Sequence, residues 1–340
     1  MEKLMTLVEL PSANDHVVEV VEQELDPACA NEYAAMFQAY ERAGGSAASL
    51  QLPTVASLII SGHHVLSINN LPGVHLEAEE TSAGIYVHLR VARDTQLDQP
   101  VLICFGMIPF EGVQRIIADY EIGADACAAI QTYCTFPNAC QIYHRMEATI
   151  SVGRNATLTY NQVHYHGSCG GIRAIPQALV QVDAGGRYLG TFRLVNGRIG
   201  QLDLDHQVNV AAGGAADITT LAYGTEKDRI GVRTGVHLNG EQATGFINNH
   251  VAVRDQARSR IFAVAIGNAA GTRGHIDCTE IVRDEALAES NPRAVVRHNQ
   301  SRITQSANIG AINEQQLAPL LARGLDTDTA VDTIIRGMLN

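Results

Sequence analysis

Ile150-Ser-Val-Gly-Arg-Asn-Ala156, Val180-Gln-Val-Asp-Ala-Gly-Gly186, Val208-Asn-Val-Ala-Ala-Gly-Gly214 and Val251-Ala-Val-Arg-Asp-Gln-Ala257 share one plan. An alternating apolar pair leads into a short polar turn rich in Gly, Asn or Asp, and a small residue opens the next run. With Val152, Val182, Val210 and Leu238 as markers, the plan recurs every 28 to 30 residues or so, an interval typical of solenoids. Leu238, Val253, Val282 and Val296 then follow at about half or the whole of that step, as expected if each coil carries two such corners. No amphipathic helix fits between the markers, and the Leu/Asn framework of a leucine-rich repeat is missing. Stacked β-coils remain, clearest over 148–310, each pairing in parallel with the next and filling a narrow interior with alternate side chains.

Composition agrees with this. The chain has no Trp, only 5% aromatic residues and 30 Gly, so its core is built from small and β-branched side chains. At 46% hydrophobic over 340 residues there is ample material to bury. A formal charge of −12 with no Lys/Arg-rich run opposes nucleic-acid binding. Met1 to Leu10 is short for a signal peptide and is soon interrupted by Pro11, and no apolar run reaches membrane-spanning length, so a soluble, cytoplasmic protein is expected. The seven cysteines include no CxxC pair and are expected to be reduced thiols, mostly buried, with Cys134 and Cys140 read as core thiols.

Outward from the repeats, residues 1–50 read as a helical region. Val17, Val18, Val20, Val21 and Leu25 fall at helical spacing, and Tyr33, Met36, Phe37 and Tyr40 do so again after Pro27. Residues 51–312 form the β-core. In 313–340, Asn313 is an N-cap for a helix bearing Leu317, Leu320 and Leu321 that ends at Gly324, and Asp326 caps a second bearing Val331, Ile334, Ile335 and Met338. Helices at both ends are expected to cover the exposed edges of the first and last coils.

Six blocks occur in order over the C-terminal part: Gly274-His-Ile-Asp-Cys-Thr-Glu-Ile281, Ala288-Glu-Ser-Asn-Pro292, Arg302-Ile-Thr-Gln-Ser-Ala-Asn-Ile-Gly310, Asn313-Glu-Gln-Gln-Leu317, Ala322-Arg-Gly-Leu325 and Ile335-Arg-Gly-Met-Leu339. Together they resemble the C-terminal core of the SufB/SufD family. Upstream, Cys134-Thr-Phe-Pro-Asn-Ala139 and His164-Tyr-His-Gly167 resemble blocks of its shorter, archaeal-style members. The resemblance spans most of 50–340. It implies a right-handed parallel β-helix with helical termini and a scaffold role in iron–sulfur cluster assembly. It also implies a homodimer or heterodimer of such chains carrying a SufC-type ABC ATPase, whose ATP-driven dimerisation exposes a buried site. The family's ATPase contact falls on the C-terminal helices, here Leu317, Leu320, Leu321, Leu325, Ile334, Ile335 and Met338.

The family's cluster or persulfide cysteine falls on Cys278. A thiolate suits both roles. Glu280 shares its strand face, and His275 in the same block is a possible nitrogen ligand. The usual His-Glu pair of the second half-site is replaced by Gln305 and Ser306, poor iron ligands by comparison. Two arrangements stay open. In one the chain is the ligand-poor, SufD-like member of a heterodimer. In the other the ligands have moved to His164, His166 and Cys169, where His-x-His puts two imidazoles on one face; the bland alternative is a polar strand edge running into a Gly-rich turn. A more remote reading is a β-helix carbohydrate-active enzyme using Asp203 and Asp205, which otherwise read as a solvated strand face. No phosphate-binding GxxxxGK[ST] loop is present, so the chain is expected to be non-catalytic, with ATP hydrolysis left to a partner.

Overall fold

A computed structural model describes residues 4–8, 19–23, 27–312 and 314–339. It begins with an antiparallel pair, β1 (Leu4–Val8) and β2 (Glu19–Gln23), followed by α1 (Pro27–Arg42) and α2 (Ala47–Leu50). Two hairpins come next, β3 (Ser57–Ser61) with β4 (His64–Asn69) and β5 (Val74–Thr81) with β6 (Gly84–Val91), and then β7 (Val101–Gly106). From there the chain alternates between two parallel sheets. One receives β8 (Glu111–Ile122), β10 (Gln141–Val152), β12 (Ile172–Val182), β14 (Gln201–Val210), β16 (Arg229–Leu238), β18 (Arg258–Gly267) and β20 (Leu287–Val296). The other receives β9 (Cys127–Phe136), β11 (Thr157–His166), β13 (Arg187–Asn196), β15 (Ala215–Gly224), β17 (Thr244–Val253), β19 (Arg273–Val282) and β21 (Arg302–Gly310). The result is a β-solenoid of about eight coils, closed at its C-terminal end by no further strand, with α3 (Glu314–Leu321) and α4 (Thr327–Met338) completing the chain.

The repeat markers stack as the spacing requires. Val152 pairs with Val182, Val182 with Val210 and Val210 with Leu238 along one sheet, while Val253 pairs with Val282 on the other. A one-residue slip would turn every buried side chain outward, so the alternation in β14 fixes the register: Leu202, Leu204, His206, Val208 and Val210 point in, and Asp203 and Asp205 point out. Burying each Val, Leu or Ile of this column stabilises the fold by about 1.5–3 kcal/mol.

The polar turns explain the Asp/Asn/Gly bias. At successive coils Asp125, Asn155, Gly185, Gly213, Gln242 and Gly271 adopt positive φ, the left-handed conformation that Gly enters freely and that Asn and Asp tolerate best among the rest. Each corner then hands its amide to the next: Asp125 N–H donates to the Arg154 carbonyl, Asn155 to Ala184 and Gly185 to Ala212. At the other corner Asp228, almost fully buried, accepts from the amides of Ile199, Gly200 and Thr225 and from the Arg198 guanidinium, so its carboxylate ties two coils together.

Several expectations are corrected. Helical spacing at Val20 and Val21 gives way to strand β2, because two adjacent β-branched residues between Glu19 and Glu22 suit an extended ladder better than a helix. Val17, Val18 and Leu25, and the proposed N-cap Asn313, lie outside the described residues. The helix bearing Tyr33, Met36, Phe37 and Tyr40 forms as α1, and it packs on the side of the solenoid against Ile59, Leu102 and Tyr133. Asp326 caps α4, accepting from the Thr329 amide, and Gly324 takes positive φ beyond α3.

The terminal helices do not cover the coil edges. At the N-terminal end two antiparallel hairpins close the stack. At the other end α4 lies along the flank, its Val331, Ile335 and Leu339 against Val195, Leu221, Tyr223 and Ala252. Ion pairs of Arg254 with Asp332 and of Arg283 with Asp328 hold it there. β20 and β21 are left as sheet edges, with Leu287, Val296 and Ile309 half exposed or more.

Not all cysteines are thiols. Cys140 and Cys169 form a disulfide, their Cα atoms 5.2 Å apart. They lie 29 residues apart, one repeat, so the solenoid stacks one above the other.

Candidate functional site: a buried thiol and carboxylate under the open end

Strand β19 alternates as the sequence demands, and the alternation decides which of its residues meet. Cys278 and Glu280 both point into the interior and are almost fully buried. His275 has the opposite parity and points out, its ring hydrogen-bonded to the Thr304 hydroxyl at 2.7 Å. It is therefore not beside the thiol. The period-2 rule that placed Glu280 with Cys278 also separates His275 from it.

Cys278 stacks on Asn249 of β17, whose amide donates to Sγ at 3.8 Å and to the Thr234 hydroxyl at 2.9 Å. Burial pushes the thiol up, and Ser290 and Asn249 beside it act against that rise. Glu280 accepts a short hydrogen bond from Ser259 across the interior, and its other oxygen, Oε1, has no hydrogen-bond partner among the described residues. Burial also raises this carboxyl, despite the serine donor. A thiol and a carboxyl of raised pKa, the latter with a bare oxygen, thus put two donor groups on one interior face. Iron, as cargo, fits such a pair: both groups become strong ligands once a cation displaces their protons.

One strand beyond, Ala307 of β21 pairs with Cys278. The thiol therefore lies a single strand beneath the unpaired edge. The positions of the usual second half-site diverge. Gln305 pairs with Ile276, and its Oε1 accepts from the Ala294 amide. Ser306 pairs with Asp277 on the outer face and donates to its carboxylate at 2.6 Å. Burial of Asp277 is outweighed by hydrogen bonds from Ser306 and His250, which hold its pKa below the usual range. Both side chains are thereby engaged by neighbouring groups of the last coils.

The His164, His166 and Cys169 trio does not assemble. His164 and His166 share the interior face of β11, nearly fully buried rather than on a polar strand edge, with His164 Nδ1 3.3 Å from His166 Nε2. Cys169 is at the surface, joined to Cys140. Sequence reading missed what does meet His164: Cys134 pairs with it in register, and His144 of β10 faces it across the interior. The signal was present, since Cys134 and His164 are separated by one repeat, like Val152 and Val182. Asp203 and Asp205 are ion-paired with Arg173 and Arg233 on the outer face.

Among the seven surface residues expected on the C-terminal helices, Ile335 is fully buried against the chain's own sheet. Leu317 and Met338 pack on the same cluster in part. Leu321 is exposed, and Leu320, Leu325 and Ile334 are half-buried. Among the described residues no helix is long and apolar enough to cross a membrane.

Fold and site together define a class: a parallel β-solenoid that keeps a thiol–carboxylate pair inside its last coils, next to an unpaired sheet edge. Residues 114–338 match the model of the SufBD core domain of the SUF system for FeS cluster assembly. An iron–sulfur cluster assembly SufBD family protein of Methanocaldococcus jannaschii is 36% identical over 284 residues, covering 83% of this chain and 89% of the relative. One from Pyrococcus horikoshii is 30% identical over 308 residues, 91% and 94% of the two chains. The chain belongs to the SufBD family of iron–sulfur cluster assembly proteins.

Proposed function

We propose that this chain is a scaffold that receives a nascent iron–sulfur cluster at Cys278 and Glu280, pairs through its open last coil with a second scaffold chain, and docks a SufC-type ABC ATPase on α3 and α4. The observation that carries the reading is the buried thiol beside a carboxylate with an unpartnered oxygen, one strand beneath an unpaired edge. Thiolate is the soft ligand iron–sulfur centres require, and the carboxylate supplies a harder donor to iron before sulfide is complete.

The edges of β20 and β21 support pairing with a like chain, because their unpaired backbone groups are a template for another strand and Leu287, Val296 and Ile309 add exposed apolar surface beside them. A second chain also supplies the ligands that Gln305 and Ser306 do not. The partner is a copy of this chain or a paralogue. Leu320, Leu321, Leu325 and Ile334 form the outward side of the helices for the ATPase. The chain itself performs no catalysis; force from the ATPase opens the last coil and admits iron and sulfur to Cys278. The setting for this role is cytoplasmic.

A second reading rests on Gln305 and Ser306: a SufD-like structural member that binds the ATPase and holds no cluster. Co-expression with a SufC-type ATPase, followed by thiol labelling of the purified complex, tests the proposal. The complex forms and ATP accelerates alkylation of Cys278. Absence of a complex sinks the docking role, and a complex in which Cys278 stays unlabelled with ATP sinks the opening step.

A further inference from the structure

Two coils in from the first full turn, the solenoid core stops being apolar. Cys134 on β9, His164 on β11 and His144 on β10 bring one ligand atom each to within 4.8 Å of one another, and all are fully buried or nearly so. A tetrahedral zinc site spaces its sulfur and nitrogen donors by roughly 3.3–3.6 Å, so closure around an ion needs a contraction of about 1 Å at the widest pair. Side-chain rotation alone covers that.

The hydrogen bonds around the cluster fix which lone pairs are free. The Arg198 carbonyl can only accept, so His166 donates to it from Nδ1 and leaves Nε2 as an acceptor. His164 then donates from Nδ1 to His166 Nε2, which leaves His164 Nε2 as an acceptor that takes a hydrogen bond from the Gln162 amide nitrogen, 3.0 Å away. A ring nitrogen anchored to an acceptor while the other keeps its lone pair turned inward is how proteins present histidine to a metal. His144 adds the independent sign: it is fully buried and neither ring nitrogen has a hydrogen-bond partner among the described residues.

The Gln162 amide nitrogen marks the centre. It lies 3.0 Å from His164 Nε2, 3.8 Å from Cys134 Sγ and 3.7 Å from Met146 Sδ, so one weak donor serves three lone pairs that a cation would serve better. Imidazole, thiolate and a nearby thioether, with no carboxylate in the cluster, select a borderline-soft ion over magnesium, calcium or manganese.

We propose that Cys134, His144 and His164 hold a single d10 transition-metal ion, zinc(II) or copper(I), inside the solenoid, with Met146 and Gln162 at its margin and His166 orienting His164. On binding, the Cys134 thiol loses its proton to solvent as the sulfur–metal bond forms; no electron moves. The ligands are sealed from solvent, so the ion is taken up as the coils close. Cys278 lies five strands further along the same sheet, about 24 Å at 4.8 Å per strand, so this ion is separate from any cluster there and does not depend on the scaffold reading.

The test uses the full chain from cells grown with added zinc or copper, and the same chain refolded anaerobically without added thiol, so that the Cys140–Cys169 disulfide stays closed, with zinc(II), copper(I) or cobalt(II). Elemental analysis is expected to give about one equivalent of ion per chain in the wild type and in Cys278→Ser, and much less in Cys134→Ala and His164→Ala. Cobalt(II) in Cys278→Ser is expected to show sulfur-to-cobalt charge transfer with the strong visible bands of a tetrahedral ion. Retention of the ion by Cys134→Ala and His164→Ala alike overturns the site, as does a wild type that stays ion-free by both routes. If the variants do not fold, the cobalt spectrum decides alone: sulfur-to-cobalt charge transfer supports the site, and its absence refutes it.

Discussion

Cys278 and Glu280 lie side by side on the interior face of β19, and only β21 separates that row from the open end of the stack. The thiol is shielded in the free chain, and the chain must open locally to use it. Cys127, by contrast, is exposed. In the free protein an alkylating reagent is expected to modify Cys127 first, with Cys278, Cys134 and Cys104 protected until denaturant is added, because burial raises the pKa of all three thiols as well as hiding them. Mass spectrometry of the labelled peptides checks the order; early labelling of Cys278 without partner or nucleotide would mean that the last coil opens by itself.

A buried and an exposed position on the C-terminal helices give opposite outcomes on substitution. Ile335→Asp places a charge against Val195, Leu221 and Tyr223 and is expected to destabilise the fold by about 3 kcal/mol or more, read as a lower denaturant midpoint. On the neighbouring helix α3 rather than on α4, Leu321→Asp alters exposed surface and is expected to leave the midpoint within about 0.5 kcal/mol of wild type while weakening capture of the ATPase.

Asp228 accepts from two backbone amides of one coil, a third from its own turn, and Arg198. Asp228→Ala leaves those amides unpaired and the largely buried Arg198 guanidinium with Glu226 as its carboxylate partner, at an expected cost of about 1–3 kcal/mol. Equilibrium unfolding of the variant measures it, and a loss below about 1 kcal/mol would show the corner to be held by the strands alone.

Burial lowers the His206 pKa from 6.5 to about 4, with its Nε2 facing the Tyr188 hydroxyl. The unfolded chain therefore binds the proton first as pH falls. Stability from this residue is complete above pH 6.5 or so and declines below it by about 1.4 kcal/mol per pH unit, about 3 kcal/mol in all by pH 4. His206→Gln is expected to flatten the acid limb of a stability–pH curve, and an unchanged slope would show that His206 is protonated in the folded state.

The coil repeat was legible because backbone stacking imposes it on every turn: a period of 28 to 30 residues or so and left-handed corners leave marks at Asn155, Gly185 and Gly213 that need no tertiary knowledge. Cys278 with Glu280 was legible from strand parity once the family block drew attention to it. What parity cannot report is which face of a strand is inside, so His164 and His166 read equally well as surface residues. Nor does a local pattern reveal a neighbour across the interior. His144 comes from the opposite sheet, and only the closed coil sets it against Cys134 and His164. The position of α4 on the flank was likewise hidden, because its anchors Tyr223, Arg254 and Arg283 come from three different coils.

The most direct measurement is the iron content and visible absorption of the chain in complex with its ATPase after anaerobic reconstitution with iron and sulfide, for wild type, Cys278→Ser and Glu280→Gln. The account predicts iron–sulfur absorption in the wild type, its loss in Cys278→Ser and a reduced yield in Glu280→Gln. A complex that gains the same iron–sulfur absorption without Cys278, or that remains colourless as wild type, contradicts the assignment of the cluster to this site.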